Sequence, residues 1–127
     1  MAERVLVVDD EAQITRVLRT ALSAQGYDVR AANEPEEALH IFEEWSPDLI
    51  VTDLMMPGQS GYEFLRSLQS AGNGRIPVFV VTGSKFDDST VALIRQEANV
   101  VEFIAKPVTM SKFVAALHAR LRTAPKS

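Results

Sequence analysis

Two kinds of hydrophobic pattern alternate along this chain. Short apolar runs rich in valine and isoleucine are typical of strands buried on both faces of a parallel sheet. Four such runs occupy residues 5–8, 49–52, 78–81 and 100–105. Residues 27–31 alternate between apolar and polar side chains and predict a shorter, half-exposed edge strand. Between these segments apolar residues recur every three or four positions, which indicates amphipathic helices.

Residues typical of helix ends divide the helical segments. Gly26 fits the end of the first helix, and Asn33 is a candidate cap for the second. The second helix closes at Trp45-Ser46-Pro47, and Ser60-Gly61-Tyr62-Glu63 matches a capping box that starts the third. A fourth and a fifth helix follow the fourth and fifth strands. The sum is a single (βα)5 domain of the α/β class, doubly wound, with right-handed crossovers and helices on both faces of a parallel sheet.

Composition narrows the class of protein. The 127 residues are the size of one domain, and a hydrophobic content of 46% is enough for a core. The net charge of −4 and the scattered Lys and Arg argue against nucleic-acid binding by this domain. There is no cysteine and no apolar stretch of bilayer length, so a cytoplasmic protein without membrane contact is expected. Residues 1–122 are the predicted domain, and residues 123–127 are a tail or the start of a linker.

Chemically distinctive residues stand where the predicted strands end. They are Asp9, Asp10, Asp53, Thr82 and Lys106. In open parallel sheets the ligand site lies beyond the carboxyl ends of the strands, so these side chains should meet at one edge. Three carboxylates gathered there repel, and each resists ionising unless a cation balances the charge. Oxygen ligands without His or Cys nearby suit a hard ion such as Mg²⁺.

The same residues belong to a longer set of motifs in a fixed order. The set comprises Asp9-Asp10, the segment Asp-Leu-Met-Met-Pro-Gly-Gln-Ser-Gly at 53–61, Thr82-Gly83, and Phe-Ile-Ala-Lys-Pro at 103–107. Each piece is weak alone, but together, in order and each at a strand end, they are a strong signal. Over essentially its whole length the chain resembles the receiver (CheY-like) domains of two-component response regulators. The resemblance implies a flavodoxin-like sheet with strand order 2-1-3-4-5.

The resemblance also implies a role for each motif residue. Asp53 would accept a phosphoryl group from a sensor histidine kinase or a phosphotransfer protein. Asp10, Asp53 and the backbone carbonyl of Met55 would hold Mg²⁺, with Asp9 acting mainly through bound water. Lys106 and Thr82 would contact the phosphoryl oxygens. Such a domain transfers and loses its own phosphoryl group and is not a turnover enzyme.

By the same resemblance, phosphorylation would be read out through a switch. Thr82 would move toward the phosphoryl group, and the ring of Phe103 would turn into the space that it leaves. The face made by the fourth helix, the fifth strand and the fifth helix would then be remodelled for an output domain or a downstream protein. Dimerisation after phosphorylation is compatible with this scheme, although no residue fixes it. Asn99-Val100 departs from the Gly-Ala pair that the family usually carries before the fifth strand.

Several alternatives stay open at the level of sequence. Thr82 could simply end a buried strand, Lys106 could be a solvated loop residue, and Phe103 could be an ordinary core residue. A degenerate receiver that never takes phosphate is a second function, although all five expected residues are present. A phosphohydrolase of the haloacid dehalogenase type is a third, but that family needs Asp-x-Asp after its first strand. Trp45 is expected at the end of the sheet far from the site.

Overall fold

The computed structural model describes residues 3–53, 55–56, 59–60, 66–67, 70, 76–82, 92, 96, 100–105 and 108–123, with the backbone alone at 55, 56, 59, 60, 82 and 105. The strands are β1 (Arg4–Val8), β2 (Asp28–Ala32), β3 (Leu49–Thr52), β4 (Met55–Met56), β5 (Gln59–Ser60), β6 (Val78–Thr82) and β7 (Val100–Ala105). The helices are α1 (Ala12–Ala24), α2 (Pro35–Trp45) and α3 (Met110–Leu121), the last being the fifth helix of the sequence prediction.

The main sheet confirms the predicted fold. Its five strands are all parallel and lie in the order β2-β1-β3-β6-β7. With the two-residue strands β4 and β5 set aside, this is the order 2-1-3-4-5. Three of the four apolar runs form the central strands β1, β3 and β6, whose apolar residues are buried because both faces of these strands are covered. The fourth run forms β7, which is an edge strand and, contrary to the prediction of burial on both faces, is only partly buried.

Alternate residues of the strands feed two separate core layers. On one face, Leu6, Val8 and Ile50 pack with Phe42 and Trp45 of α2. On the other face the strands pack against α1 and α3, and the buried residues of that layer include Val7, Val51, Leu18, Leu22 and Phe113. Helices on both faces therefore hold the sheet, as predicted. None of the helices in the described part of the chain has the length and apolarity that a bilayer span requires.

Gly26 ends α1 as predicted, in a left-handed conformation with φ of 90°. Its N–H donates to the carbonyl of Ser23 (3.0 Å), and the N–H of Tyr27 donates to the carbonyl of Leu22 (3.2 Å). This pair of hydrogen bonds is the Schellman motif, in which a residue without a Cβ costs least at the left-handed position. Tyr27 and Leu22 also lie in the same core layer, which fixes the direction in which β2 starts.

The start of α2 differs from the prediction. Pro35 occupies the first turn and Glu34, not Asn33, is the N-cap residue, without a side-chain cap hydrogen bond. Capping by Asn33 is therefore wrong, because the Asn33 amide donates instead to the backbone carbonyl of Asp9 at 3.0 Å. The predicted end of α2 is confirmed: the helix stops at Trp45, and Ser46 has a φ of 53°.

Two local features were not predicted. Met55↔Ser60 and Met56↔Gln59 form a short antiparallel pair after β3. In β7 the pairing with β6 shifts by one residue, from Val78↔Val100 to Phe79↔Glu102. The predicted capping box begins at Ser60 in β5, and its remaining residues 61–63 lie outside the described residues. Residues 66–67, 70 and 92 are helical, within the predicted third and fourth helices.

Candidate functional site

Asp9 and Asp53 are brought together by the register of the sheet. Val8, the last residue of β1, pairs with Ala32 of β2 and with Thr52 of β3. Asp9 and Asp53 each follow one residue later on adjacent strands. Their N–H groups continue the ladder, since Asp9 donates to the carbonyl of Ala32 (3.1 Å) and Asp53 to that of Val8 (3.0 Å). Strand pairing therefore fixes both backbones at the carboxyl edge of the sheet.

Four carboxyl groups converge at this edge. Asp9, Asp10, Glu11 and Asp53 each offer one oxygen, and these oxygens all lie within 4.8 Å of one another. Asp9 is 3% exposed and Asp53 is 5% exposed, whereas Asp10 and Glu11 face solvent. Burial of carboxylates that lie side by side is unfavourable without a compensating cation or donor. The three predicted carboxylates therefore lie together at one edge of the sheet.

Glu11 belongs both to the start of α1 and to the acidic group. It is the N-cap residue of α1 and makes no side-chain cap hydrogen bond. Its carboxylate also belongs to the acidic group. The N–H of Glu11 donates to Oδ1 of Asp9 at 2.9 Å. The turn into α1 thus orients the Asp9 carboxylate.

The side chain of Thr52 holds the backbone of Asp53 through a hydrogen bond. Its side chain is fully buried, and Oγ1 donates to the carbonyl oxygen of Asp53 at 2.9 Å. A buried hydroxyl needs such a partner, because an unpaired one is costly. The hydrogen bond also holds the main-chain carbonyl of Asp53, directly after the end of β3.

The structure describes the other predicted site residues in part. Thr82 is the last residue of β6 and pairs with Ala105, the last residue of β7. Lys106 follows Ala105 directly and lies outside the described residues, as do Asn99 and Pro107. Met55 begins β4, two residues after Asp53. Phe103 pairs with Val80 and packs, partly buried, against the core layer under α2.

The donor set at the edge suits a hard divalent cation. All four groups that converge are carboxylates, and Mg²⁺ binds oxygen ligands, one or two of them carboxylates, together with waters. Two of these carboxylates are buried and two are exposed, so an ion could be held by protein oxygens on one side and by water on the other. The residues present therefore form an acidic pocket that is compatible with Mg²⁺.

An apolar groove borders the acidic pocket. It runs between α1 and the segment before α3, and it is lined by Glu11, Gln13, Ile14, Val17, Leu18, Val108 and Met110. Val17 is 51% exposed and is the one large hydrophobic side chain found exposed among the described residues. Glu11 belongs both to the pocket and to the groove. The surface next to the carboxylates is thus apolar.

Sequence reasoning missed the role of Asn33 at this site. Asn33 follows the last residue of β2, so it stands at the same carboxyl edge as Asp9 and Asp53. That position was a usable signal, but an asparagine ahead of a helix reads more readily as a cap. A second group was missed at the opposite edge, where the buried side chains of Tyr27 and His118 hydrogen-bond to each other at 2.9 Å.

Comparison with known proteins agrees with this geometry. Residues 5–118 match the family described as the response regulator receiver domain. The probable transcriptional regulator ycf27 of Porphyridium aerugineum is 37% identical over 125 residues, which cover 98% of this chain and 50% of that protein. The DNA-binding response regulator MtrA of Mycobacterium tuberculosis (strain ATCC 25618 / H37Rv) is 32% identical over 122 residues, 96% of this chain and 52% of that protein. The chain spans about half the length of these curated relatives.

Solved structures give the same answer for the fold. A CheY-like response regulator receiver domain protein from Methanospirillum hungatei JF-1 superposes with a TM-score of 0.86 at 25% identity, covering 96% of this chain and 95% of that one. A response regulator receiver protein from Pseudomonas putida gives 0.85 at 28% identity, covering 94% and 98%. Members of this family are signalling proteins rather than turnover enzymes, which disfavours the phosphohydrolase alternative. The chain belongs to the response regulator receiver domain family of two-component signalling systems.

Proposed function

We propose that this domain accepts a phosphoryl group on Asp53 from a sensor histidine kinase or a phosphotransfer protein, with Mg²⁺ as the cofactor. The observation that carries the proposal is the convergence of four carboxylate oxygens within 4.8 Å at the carboxyl edge of the sheet. This edge therefore carries a carboxylate that can act as a nucleophile and a group of oxygens that suits a hard cation. The family match over residues 5–118 includes all four of these residues.

The transfer is a displacement at phosphorus. A carboxylate oxygen of Asp53 forms a bond to the phosphorus of phosphohistidine, and the phosphorus–nitrogen bond breaks with its electron pair going to the imidazole. The product is an acyl phosphate on Asp53. Later, water attacks the phosphorus, the bond to Asp53 breaks, and the carboxylate and inorganic phosphate are released. Such transfers need mainly positioning and charge stabilisation, and the ladder hydrogen bond from Asp53 to Val8 supplies positioning.

Asp10, Asp53 and the backbone carbonyl of Met55 are the proposed ligands of Mg²⁺, with Asp9 acting through water. When bound, the ion neutralises the charge that builds up between the carboxylates and the incoming phosphoryl oxygens. We assign the Lys106 ammonium and the Thr82 hydroxyl to the phosphoryl oxygens. The pairing of Thr82 with Ala105 supports this assignment, because it brings the ends of β6 and β7 to the same edge.

We further propose that Thr82 and Phe103 form the switch. Phe103 pairs with Val80, which lies two residues before Thr82 on the neighbouring strand. The one-residue shift in β7 matters for this placement. Val100 and Phe103 pack with the α2 layer whereas Val101 and Ile104 pack with the opposite layer, so the extra residue turns Phe103 toward the face that contains Val80. The output face of the fourth helix, β7 and α3 would then change shape for a partner.

Acetyl phosphate and intact mass spectrometry test the nucleophile. In the presence of Mg²⁺ the wild-type protein should gain the mass of one phosphoryl group, and addition of EDTA should prevent the gain. The Asp53→Asn variant should gain nothing, and Asp28→Asn, an exposed acid at the start of β2, should behave as the wild type. An adduct that survives Asp53→Asn contradicts the assignment, and a wild type that gains no mass favours a degenerate receiver.

The apolar groove beside the pocket is the proposed docking place for the phosphodonor protein. A phosphohistidine on a helix must approach Asp53 from outside the acidic edge, and exposed Val17 offers apolar contact close to Glu11. Val17→Lys should slow transfer from a phosphorylated histidine phosphotransfer protein about tenfold while labelling by acetyl phosphate stays unchanged. Thr20→Lys adds the same charge to an exposed position of α1 outside this groove and should leave both rates unchanged.

The remaining assignments concern the whole protein. We propose a cytoplasmic location, a domain spanning residues 1–122, and an output domain or a separate downstream protein that reads the switch face. Because the curated relatives are about twice as long as this chain and one of them is named as DNA-binding, an attached DNA-binding domain is the output that we favour. Sequencing the gene beyond codon 127 tests this directly.

A further inference from the structure

We propose that Asn33 is a positioning residue of the acidic pocket, acting on the peptide bond between Asp9 and Asp10. The inference deepens the proposed function and rests on it, because it concerns how the same pocket is held ready for a divalent cation. Its starting observation is the hydrogen bond of 3.0 Å from Nδ2 of Asn33 to the main-chain carbonyl of Asp9.

This hydrogen bond acts on a peptide plane that carries two of the site residues. The carbonyl of Asp9 and the N–H of Asp10 belong to one planar peptide unit, so holding the carbonyl also fixes the direction in which the Asp10 backbone leaves. The Asp9 N–H is already held by the carbonyl of Ala32 at 3.1 Å. The backbone of Asp9 is therefore held on both sides of its Cα, at its N–H by residue 32 and at its carbonyl by residue 33. These two hydrogen bonds fix where the backbone of Asp10 begins.

Asn33 is itself held from two further elements. Its N–H donates to Oε1 of Glu37 in the first turn of α2 at 2.9 Å. Its Nδ2 also lies 3.4 Å from Oγ1 of Thr15, a buried residue of α1. The second distance is long for a hydrogen bond and contributes less than the bond to Asp9. Asn33 thus links α1 and the start of the pocket through its side chain and α2 through its backbone N–H.

The residue type fits this role. The contact requires a donor that reaches a carbonyl on the neighbouring strand, and aspartate at neutral pH has none. The helix that follows does not use the side chain, because Glu34 is the N-cap of α2. An outer residue that orients metal ligands typically changes metal affinity about 10- to 100-fold when it is removed. Since Asn33 acts through backbone and is exposed, the lower end of that range is expected.

Binding of Mn²⁺, used as a spectroscopic probe in place of Mg²⁺, measures the effect. In titrations followed by electron paramagnetic resonance, Asn33→Ala should raise the dissociation constant about tenfold. The matched control is Tyr27→Phe, which loses a buried hydrogen bond to His118 at the opposite edge of the sheet and leaves the contacts of Asn33 intact. Tyr27→Phe should lose stability and keep its Mn²⁺ affinity within about twofold. Equal Mn²⁺ affinity in Asn33→Ala and wild type overturns the proposal.

A measurement on the metal-free wild type keeps the test independent of how the variants fold. NMR of the labelled protein should show a scalar coupling across the hydrogen bond between ¹⁵Nδ2 of Asn33 and the carbonyl ¹³C of Asp9, and absence of that coupling overturns the positioning role. A wild type that binds Mn²⁺ and accepts phosphate, with an unaffected Asn33→Ala, removes the positioning role alone. A wild type that binds no Mn²⁺ removes the metal site and the positioning role together.

Discussion

Close packing of like charges at Asp9, Asp10, Glu11 and Asp53 should make the metal-free domain less stable than its fold permits. Two unit charges 4 Å apart in bulk water repel by about 1 kcal/mol, and by more where water is partly excluded. The oxygens here lie within 4.8 Å of one another and two of the four residues are buried. Repulsion in the pocket therefore lowers the stability of the metal-free domain, and a bound cation would offset that loss.

Asp10→Asn tests this trade. In EDTA the variant should be more stable than the wild type by about 1 kcal/mol, because one repelling charge is removed. Saturating Mg²⁺ should stabilise the wild type by about 2.7 kcal/mol at 100 times the dissociation constant, and the variant by less. Urea unfolding with and without Mg²⁺ measures both values. Asp28→Asn lowers the negative charge equally at the opposite edge and should show neither effect; an equal gain there would mean that net charge, not the pocket, is responsible.

Tyr27 forms a second polar group, far from the pocket. Its hydroxyl lies 2.9 Å from Nδ1 of His118 and also bonds to Oγ1 of Thr123, while Nε2 of His118 lies 2.9 Å from Oε1 of Gln25. Burial raises the pKa of the Tyr27 phenol above its ordinary value of 10.0; Thr123 acts in the opposite direction and Glu3 adds to the rise. The group ties the end of α1, the start of β2 and the end of α3 together.

Tyr27→Phe should cost about 1 kcal/mol of unfolding free energy at pH 8, because the hydroxyl loses its partners while His118 and Thr123 keep their mutual bond. The pKa of Tyr27 is higher in the folded state than in the unfolded state. Its neutral form therefore stabilises the fold fully below about pH 10, and this contribution is lost as the pH rises through the folded pKa. Urea unfolding from pH 8 to pH 11 should show the gap between wild type and variant narrowing above pH 10. A gap that stays constant across that range contradicts the assignment.

At the scale of elements, the sequence predicted whatever depends on local pattern. The central strands β1, β3 and β6, the edge strand β2 and the end of α1 at Gly26 follow from apolar runs and from one glycine. The apolar run at 100–105 predicted a strand correctly but its burial wrongly, because β7 lies at the other edge of the sheet and is only partly buried. The start of α2 was predicted wrongly because the Asn33 side chain bonds to the carbonyl of Asp9, 24 positions earlier in the chain. No local pattern reveals such a contact. The β4–β5 pair is too short to have a period, and the shift in β7 exists only relative to β6.

The candidate site likewise contains residues that the sequence pattern predicts and a residue that it does not. Motif order identified Asp9, Asp10 and Asp53 as a group, since parallel strands deliver their carboxyl ends to one edge. The participation of Glu11 depends on the turn into α1, which brings its carboxylate back toward the strands. Glu11 is adjacent to Asp10 in sequence, yet adjacency alone does not tell whether a side chain points to the pocket or to solvent.

The end of α1 yields a prediction at this scale. Gly26 has a φ of 90°, where a Cβ is disfavoured, so Gly26→Ala should lower the unfolding free energy by about 1 kcal/mol or more. Ser23→Ala, an exposed position of the same helix, is the matched control and should be neutral or slightly stabilising. Urea unfolding measures both variants. If Gly26→Ala is as stable as the control, the Schellman motif does not contribute as described.

At the scale of the whole molecule, the two edges of the sheet have different contents. The carboxyl edge holds the acidic pocket, and the amino edge holds Trp45, whose ring lies 5.8 Å from the Arg4 guanidinium carbon and 5.0 Å from that of Arg30. Arg4 is the first residue of β1, and Asp9 directly follows Val8, the last residue of that strand. At about 3.3 Å per residue, these two positions are about 16 Å apart along the strand.

This separation makes Trp45 a negative control for metal binding within the protein itself. Addition of Mg²⁺ should leave the fluorescence of Trp45 almost unchanged, because the indole lies against Arg4 and Arg30 at the amino edge of the sheet and the carboxylates lie at the carboxyl edge. A Leu54→Trp variant places a second indole next to Asp53 and should show a saturable change over the same Mg²⁺ range. A large change in the wild type would contradict the topology, which places Trp45 and the carboxylates at opposite edges of the sheet. If Mg²⁺ changes the fluorescence of neither protein, the result counts against the cation site. A change in Leu54→Trp alone would locate the bound ion at the carboxyl edge.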